Sequence, residues 1–453
     1  MPYIGYTRSK KIKKLYLLAK AIISNYGLRY FFYVAKLEFK KQKFSVFTPD
    51  SAPQPSFLQK NYQSGYDEYL KKMHHCLSNE FTNNSKMTLA VTVIVVSDGN
   101  LEKLTKTMNS LQQQHYVHWT ALVLPITSKS SEKISKLTDY SNTKKLDFIN
   151  DDKKFNEQIK NSECDLICIV KSGDLLDKFA CFKAISNFTH YDSDITYSDH
   201  DEFENNQRSY PFFKPDWSPY LFRSMDFLSP FCLIKTHIFN QISLETEFIK
   251  YLQYDVLLKC IEITNKISHV ALPLCSVPKK SLENKNQCNK KIVQNHLDRI
   301  KIESKIEDGI VKNSLRVHYT LKSKPKVSIL IPTRDNYGIL KRCIESLEKK
   351  TNYTNKEIII IDNNSNHPKI KDYYNSLSYK IINYKGNFNF SKMNNLAVKQ
   401  SSGDLLLFLN DDTQVLDPNW LDELVSVCMQ SDVGAVGPKL IFSDNTIQHA
   451  GMV

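Results

Sequence analysis

Residues 91–97 read VTVIVVS, an almost unbroken apolar run, and apolar positions then recur three or four apart at Leu101, Leu104, Met108 and Leu111. A short apolar run followed by helical spacing predicts a strand covered on both faces and an amphipathic helix packed against it. The pattern returns 236 residues later, where VSILIPTRDN (327–336) leads into Leu340, Cys343, Ile344 and Leu347. Each copy then enters a second apolar run, LVL at 122–124 and IIII at 358–361. Strands alternating with helices predict an α/β fold with mostly parallel sheets. The offset of 236 holds without gaps for about 35 residues, which marks a duplicated domain.

The repeat extends through a third strand, where LICIVKSGDLL (166–176) corresponds to LLLFLNDDTQV (405–415). In the second copy the apolar strands end in polar tips: Pro332-Thr333-Arg334, Asp362, and Asn410-Asp411-Asp412. Adjacent carboxylates at the end of a buried strand put hard oxygen donors at the edge where open α/β sheets bind ligands. That arrangement suits a divalent ion holding a diphosphate. In the first copy the matching positions are Val96-Ser97-Asp98, Ile126 and Lys171-Ser172-Gly173, with Asp174 one residue beyond. A lysine and a glycine at ligand positions imply a degenerate copy serving structure, acceptor recognition or partner contact.

Composition narrows the class. At 453 residues and 41% hydrophobic content the chain is a multidomain globular protein. The formal charge of +13 is concentrated in residues 1–44, which hold eleven Lys/Arg against Glu38 alone. A basic arm of this kind, mixed with leucines and aromatics, predicts contact with an anionic membrane surface, or a helix packed on the body. It does not predict a nucleic-acid groove, and no nucleic-acid module is recognisable. Lys20, Arg29 and Lys36 interrupt the best candidate for a membrane span, and no signal-peptide pattern is visible, so the expected location is cytoplasmic, peripheral on the inner face of the membrane. Ten cysteines at irregular spacings suggest neither a disulfide framework nor a zinc site. The expected organisation is a basic arm (1–50), a helical or linker segment (51–88), a degenerate domain (89–278), a helical connector (279–325) and a second domain (326–453).

On these motifs the chain resembles family-2 glycosyltransferases of the GT-A fold, in particular bacterial tandem-domain members associated with O-antigen and other surface polysaccharides. The matching stretches are VSILIPTRDN, EIIIIDNNS, GNFNFSKMNNLAV (386–398), GDLLLFLNDDTQV (403–415), NWLDELV (419–425), VGAVGPKLIF (433–442) and IQHAGMV (447–453), with ITYSDHDEF (195–203) and PFFKPDWSP (211–219) in the first copy. The resemblance implies two GT-A-like domains in tandem, the second incomplete. It implies a nucleotide-sugar pocket lined by Pro332, Thr333, Arg334, Asp362, Asn364, Lys392, Asn394, Asn410 and Asp411. Asp412, with Asp411, would bind Mg²⁺ or Mn²⁺. The implied donor is a UDP- or dTDP-sugar, the acceptor a lipid-linked saccharide, and the reaction an inverting, metal-dependent transfer.

Other roles for the same residues stay open. Asp362 can cap the turn through Asn363 and Ser365. Asn389, Ser391, Lys392, Asn394 and Asn395 can wall the diphosphate site or cap the helix they begin. Asp417-Pro418 reads as an N-cap followed by proline at the first helical position. His449 lies near the metal only by analogy with the fold. The resemblance also implies a downstream acidic motif, beyond Val453, that supplies the general base; Tyr254-Asp255 holds its place in the first copy. On that expectation the chain is the N-terminal part of a longer transferase, with little activity alone. The alternative is a non-catalytic nucleotide-sugar-binding fragment or pseudo-transferase scaffold. Neither G-x-G-x-x-G nor G-x-x-x-x-G-K-[ST] occurs, which excludes Rossmann dehydrogenases and P-loop enzymes.

Overall fold

The computed structural model describes residues 56–83, 87–136, 140–160, 163–205, 207–279 and 286–451. These fall into two compact units, Met1–Met87 with Asp201–Pro211, and Thr88–His200 with Phe212–Val453. The basic arm lies outside the described residues. In the smaller unit a helix spans Ser56–Asn83, with Tyr66, Leu70, Met73 and Leu77 buried along one stripe. The Tyr66 hydroxyl donates to Asp201 Oδ2 at 2.6 Å, and Arg208 Nε reaches the same oxygen at 2.7 Å.

The first half is built on β1 (Val91–Ser97), β2 (Trp119–Pro125), β3 (Thr143–Lys145), β4 (Leu166–Lys171), β5 (Leu175–Leu176), β6 (Ile195–Glu204), β7 (Gln207–Phe212), β8 (Cys232–Lys235) and β9 (Ile267–Pro278), all in the larger unit except the stretch Asp201–Pro211 of β6 and β7. The sheet order is β3-β2-β1-β4-β8-β6-β9-β5, with β7 pairing β6. Strands β1 to β4 run parallel, and β8 adds antiparallel to β4. All seven residues of β1 are buried, as a central parallel strand covered on both faces requires.

Residues 286–319 extend this half instead of merely linking it to the next. The helix Asn286–Arg299 and the antiparallel hairpin β10 (Ser304–Asp308) and β11 (Leu315–Tyr319) contribute Ile292, Val293, Leu297, Leu315 and Tyr319 to the same core. The hairpin is not part of the helical connector expected from sequence. The Lys/Asn-rich composition obscures it, and its connection, residues 309–314 with Asn313 at φ 62°, carries no two-residue hairpin signal.

The second half repeats the leading part of the first. Strands β12 (Val327–Thr333), β13 (Lys356–Asp362), β14 (Lys380–Asn383) and β15 (Leu405–Phe408) form a parallel sheet in the order β14-β13-β12-β15. One face packs on the helices Tyr337–Lys349, Pro368–Ser376 and Trp420–Cys428, and the other on Phe390–Val398. A short hairpin, β16 (Leu440–Ile441) and β17 (Ile447–His449), follows.

Two expectations change. The strand before Asn410 is half-buried at the sheet edge, not covered on both faces: Leu406 and Phe408 are exposed. The ungapped offset also fails at the second strand. Thr333 pairs with Asp362, whereas Ser97 pairs with Pro125, so Pro125 and not Ile126 is the counterpart of Asp362. The physical cause is one extra helical residue: Tyr337–Lys349 has 13 residues against 12 in Leu101–Gln112.

Candidate functional site

Parallel strands deliver their C-terminal ends to one sheet edge. On β12 that end is Thr333, level with Asp362 on β13, while β15 places Phe408 beside Leu330 and so carries Asn410-Asp411-Asp412 to the same edge. Gly403 enters β15 at very close range: a Cβ there would meet Ser328 Oγ at 2.5 Å, Ser328 N at 2.6 Å and Lys326 O at 2.9 Å. Only glycine lets the strand begin flush against β12.

Thr333, nearly buried, donates its hydroxyl to Asp411 Oδ2 at 2.7 Å. Asp362 is engaged by its own turn. Its Oδ2 accepts the Ser365 N–H at 3.1 Å and its Oδ1 the Tyr374 hydroxyl at 2.8 Å. Burial raises the Tyr374 hydroxyl pKa, and the Asp362 carboxylate adds to it. Each Asp362 oxygen still has a lone pair for a further donor. Asn363 N–H donates to Thr333 O at 3.0 Å, tying the two strand ends together.

Asp335, which sequence reasoning left unassigned, organises the neighbouring loop. It adopts φ 52°, its N–H donates to Ser365 Oγ at 2.8 Å, and its Oδ1 accepts the N–H groups of Asn366 and His367 at 2.7 and 3.0 Å. The His367 and Asn366 N–H groups hold its carboxyl below the usual range. Asn364, at φ 54°, is exposed on the same loop.

The remaining residues divide. Arg334 is exposed, and its Nε lies 4.0 Å from Asp335. Asn389 caps the helix Phe390–Val398 by accepting the Lys392 N–H at 2.9 Å, which leaves the Lys392 side chain exposed on the first turn. Asn394 is turned inward: it is buried, and its Nδ2 donates to Phe390 O at 3.0 Å. Pro332 is buried within β12. Asp417 accepts the Asn419 N–H, and the next helix starts at Trp420 with Asn419 at its N-cap, two positions later than the Asp-Pro signal predicts. His449 is exposed on β17.

Among the described residues no cluster of three or more His, Cys, Asp or Glu is poised around a metal position. The fit is of another kind. Apart from the Thr333 bond, Asp411 has no hydrogen-bond or ion-pair partner among the described residues, and exposed Asp412 has none. Two adjacent carboxylates with free oxygens match the habit of Mg²⁺, which takes one or two protein carboxylates and fills its shell with phosphate oxygens and water. Beneath them, burial and the two carboxylates push the Cys343 thiol up to about 11.

The corresponding edge of the first half is differently furnished. Lys171 Nζ lies 5.4 Å from the centre of the Tyr251 ring, and the Gly173 N–H donates to Thr107 Oγ1 at 2.8 Å. Asp255 is fully buried and paired with Lys259 Nζ at 2.7 Å, and Lys259 also reaches Glu245 at 2.8 Å. Burial raises the Asp255 pKa despite that partner. In ITYSDHDEF, Asp199 Oδ1 pairs with His269 Nε2 and accepts the Lys214 N–H, both at 2.8 Å, a contact that ties β6, β9 and the PFFKPDWSP segment together.

Residues 328–449 match the family model described as glycosyl transferase family 2. The matched residues therefore form a family-2 glycosyltransferase domain. The chain is 30% identical over 395 residues to the O-antigen biosynthesis protein RfbC of Myxococcus xanthus, an alignment covering 82% of this chain and 31% of that protein. It is 28% identical over 126 residues to an N-acetylglucosaminyltransferase of Bradyrhizobium elkanii, covering 26% and 69% respectively. The chain thus spans less than a third of the first of these relatives. Among solved structures, S. aureus TarS 1–349 in complex with UDP-GlcNAc aligns at a TM-score of 0.37 and 16% identity, over 46% of this chain and 66% of that one. No helix among the described residues is long and apolar enough to cross a membrane.

Proposed function

We propose that residues 326–453 bind a nucleotide-sugar donor, a UDP- or dTDP-sugar, for inverting transfer to a lipid-linked saccharide during assembly of a bacterial surface polysaccharide. The observation carrying this reading is the pair Asp411-Asp412 at the sheet edge, with Asp411 oriented by Thr333. Asp412 and Asp411 would hold Mg²⁺ or Mn²⁺, which when bound supplies positive charge to the leaving nucleoside diphosphate. The protein's own residues do the rest. Thr333 fixes one oxygen of Asp411 and leaves the other for a ligand, Asp362 offers its remaining lone pairs to the base or ribose, and Lys392 places a cation on the exposed first turn of its helix.

The first half is read as non-catalytic, serving structure, acceptor recognition or partner contact. Lys171 stands where a ligand would be, and Asp255 is committed to a buried ion pair. The basic arm is read as a peripheral contact with an anionic bilayer. A scaffold that binds donor without transfer is the competing reading, favoured by the same substitutions in the first half.

Calorimetry with UDP, dTDP and GDP, with and without Mn²⁺, tests the site. Binding should require the ion and be lost in Asp412→Ala. An unchanged metal requirement in that variant would remove Asp412 from the site.

A further inference from the structure

The two halves close the crossover after their second strand differently. In the first half β2 ends at Pro125, level with Ser97, and the next helix, Ser128–Ile134, reads SKSSEKI with Thr127 as its cap. That crossover has no carboxylate at the strand end and no tyrosine in the helix. In the second half β13 ends at Asp362, level with Thr333, and the helix Pro368–Ser376 brings the Tyr374 hydroxyl back to it. The fold thus makes this turn without a tyrosine–carboxylate pair. The pair occurs in the half that carries Asp411-Asp412.

Tyr374 is set by its helix. Ile370, four residues earlier, is fully buried, and residues four apart share a helix face. The Tyr374 ring packs on the same apolar cluster, and beside it the Tyr373 and Tyr337 rings meet edge to face at 5.5 Å between centroids. From this anchored ring the hydroxyl donates to Asp362 Oδ1 at 2.8 Å.

The last torsion of an aspartate is broad, so one hydrogen bond does not set the carboxylate plane. Asp362 receives two, on different oxygens, because the Ser365 N–H donates to Oδ2 at 3.1 Å. Ser365 is held in turn: its Oγ accepts the Asp335 N–H at 2.8 Å, and its hydroxyl hydrogen-bonds that of Tyr374. What remains on Asp362 is acceptor capacity alone, in a fixed plane.

We propose that Tyr374 is a positioning residue for the nucleoside: by holding Oδ1 it fixes the plane in which Asp362 presents its remaining lone pairs to an N–H or O–H of the base or ribose. The inference rests on the donor site proposed above and adds to it a residue from outside the strand ends. Preorganisation raises affinity by removing an ordering cost. Its loss should therefore fall on the nucleoside contact and spare the diphosphate, which Asp411 and Asp412 would reach through the ion.

The test is calorimetry on the full chain and on Tyr374→Phe, in Mn²⁺, with UDP and separately with inorganic pyrophosphate. Phenylalanine keeps the ring and its packing. UDP affinity should fall about tenfold, and pyrophosphate affinity should not change. In an Asp362→Ala background, Tyr374→Phe should have no further effect on UDP, because the hydroxyl acts through that carboxylate. Equal losses for both ligands would make Tyr374 a structural residue and overturn the proposal. So would unchanged UDP affinity in Tyr374→Phe, or an undiminished loss in the Asp362→Ala background. A parent chain that binds neither ligand removes the donor site itself, and this inference with it; a parent that binds UDP and pyrophosphate equally keeps the ion site and removes the nucleoside contact.

Discussion

The Thr333 hydroxyl and Asp411 Oδ2, 2.7 Å apart, join the ends of two neighbouring parallel strands across the edge of the sheet. A hydrogen bond to a charged acceptor contributes roughly 1.5–3 kcal/mol. Thr333→Val keeps the side-chain shape and removes the donor. Its expected effect is a loss of about tenfold or more in Mn²⁺-dependent nucleotide affinity by calorimetry, with Thr333→Ser near the parent. Equal affinity in all three proteins would show that Asp411 needs no such support.

Glu357 gives the second half a defined pH response. Burial pushes its carboxyl up, but hydrogen bonds from Ser328 Oγ, the Ser402 N–H and hydroxyl, and Lys326 outweigh that and bring it to about 2, from an ordinary 4.5. A depressed folded-state value means stability that is fully present above pH ~4.5 and lost as pH falls toward ~2. The displacement corresponds to at most about 3 kcal/mol. With the side chain 25% exposed, Glu357→Gln is expected to cost about 1–2 kcal/mol at pH 7. Urea titrations between pH 7 and pH 3 should show the two proteins converging as the pH falls.

Gly403→Ala should be costly for a residue half-exposed near the surface. Its Cβ would stand 2.6 Å from the Ser328 nitrogen and 2.9 Å from the Lys326 oxygen, so β15 must move away from β12. Overpacking of this kind costs typically 1–3 kcal/mol. Thermal denaturation measures the loss, and weaker metal-dependent nucleotide binding should accompany it because Asp411 travels with the strand.

In the first half, Lys259→Met leaves Asp255 buried with no cation beside it. About 3–5 kcal/mol of destabilisation is expected, and the double change Asp255→Leu/Lys259→Met should recover most of it. Chemical denaturation of the three proteins is the measurement. Recovery in the double variant would support a structural role for Asp255; a double variant no better than the single one would argue for another.

The strands and helices of both halves were legible because each side of the pattern repeats at its own period. What escaped was the state of β15: LLLF reads the same whether one face or two are covered, and only the sheet order shows an open edge. The tips Thr333, Asp362 and Asp411 were found because apolar runs end there. Their division of labour was not, since Tyr374 and Ser365 reach Asp362 through loop folding that no local spacing encodes. Asn394, which the resemblance puts in the pocket, lies beside Met393 and Ala397 on the helix face turned to the sheet.

The extra residue in the helix Tyr337–Lys349 has a consequence for anyone comparing the two halves. Side chains on a strand alternate between faces, so a one-residue slip exchanges one face of the sheet for the other along its whole length. An ungapped comparison that sets Ile126 against Asp362 therefore pairs every position of the second strand with a neighbour from the opposite face. Substitution tables or consensus designs drawn across the duplication would mix the two buried faces of that strand, which pack against different helices, unless the gap is placed in the last turn of the preceding helix.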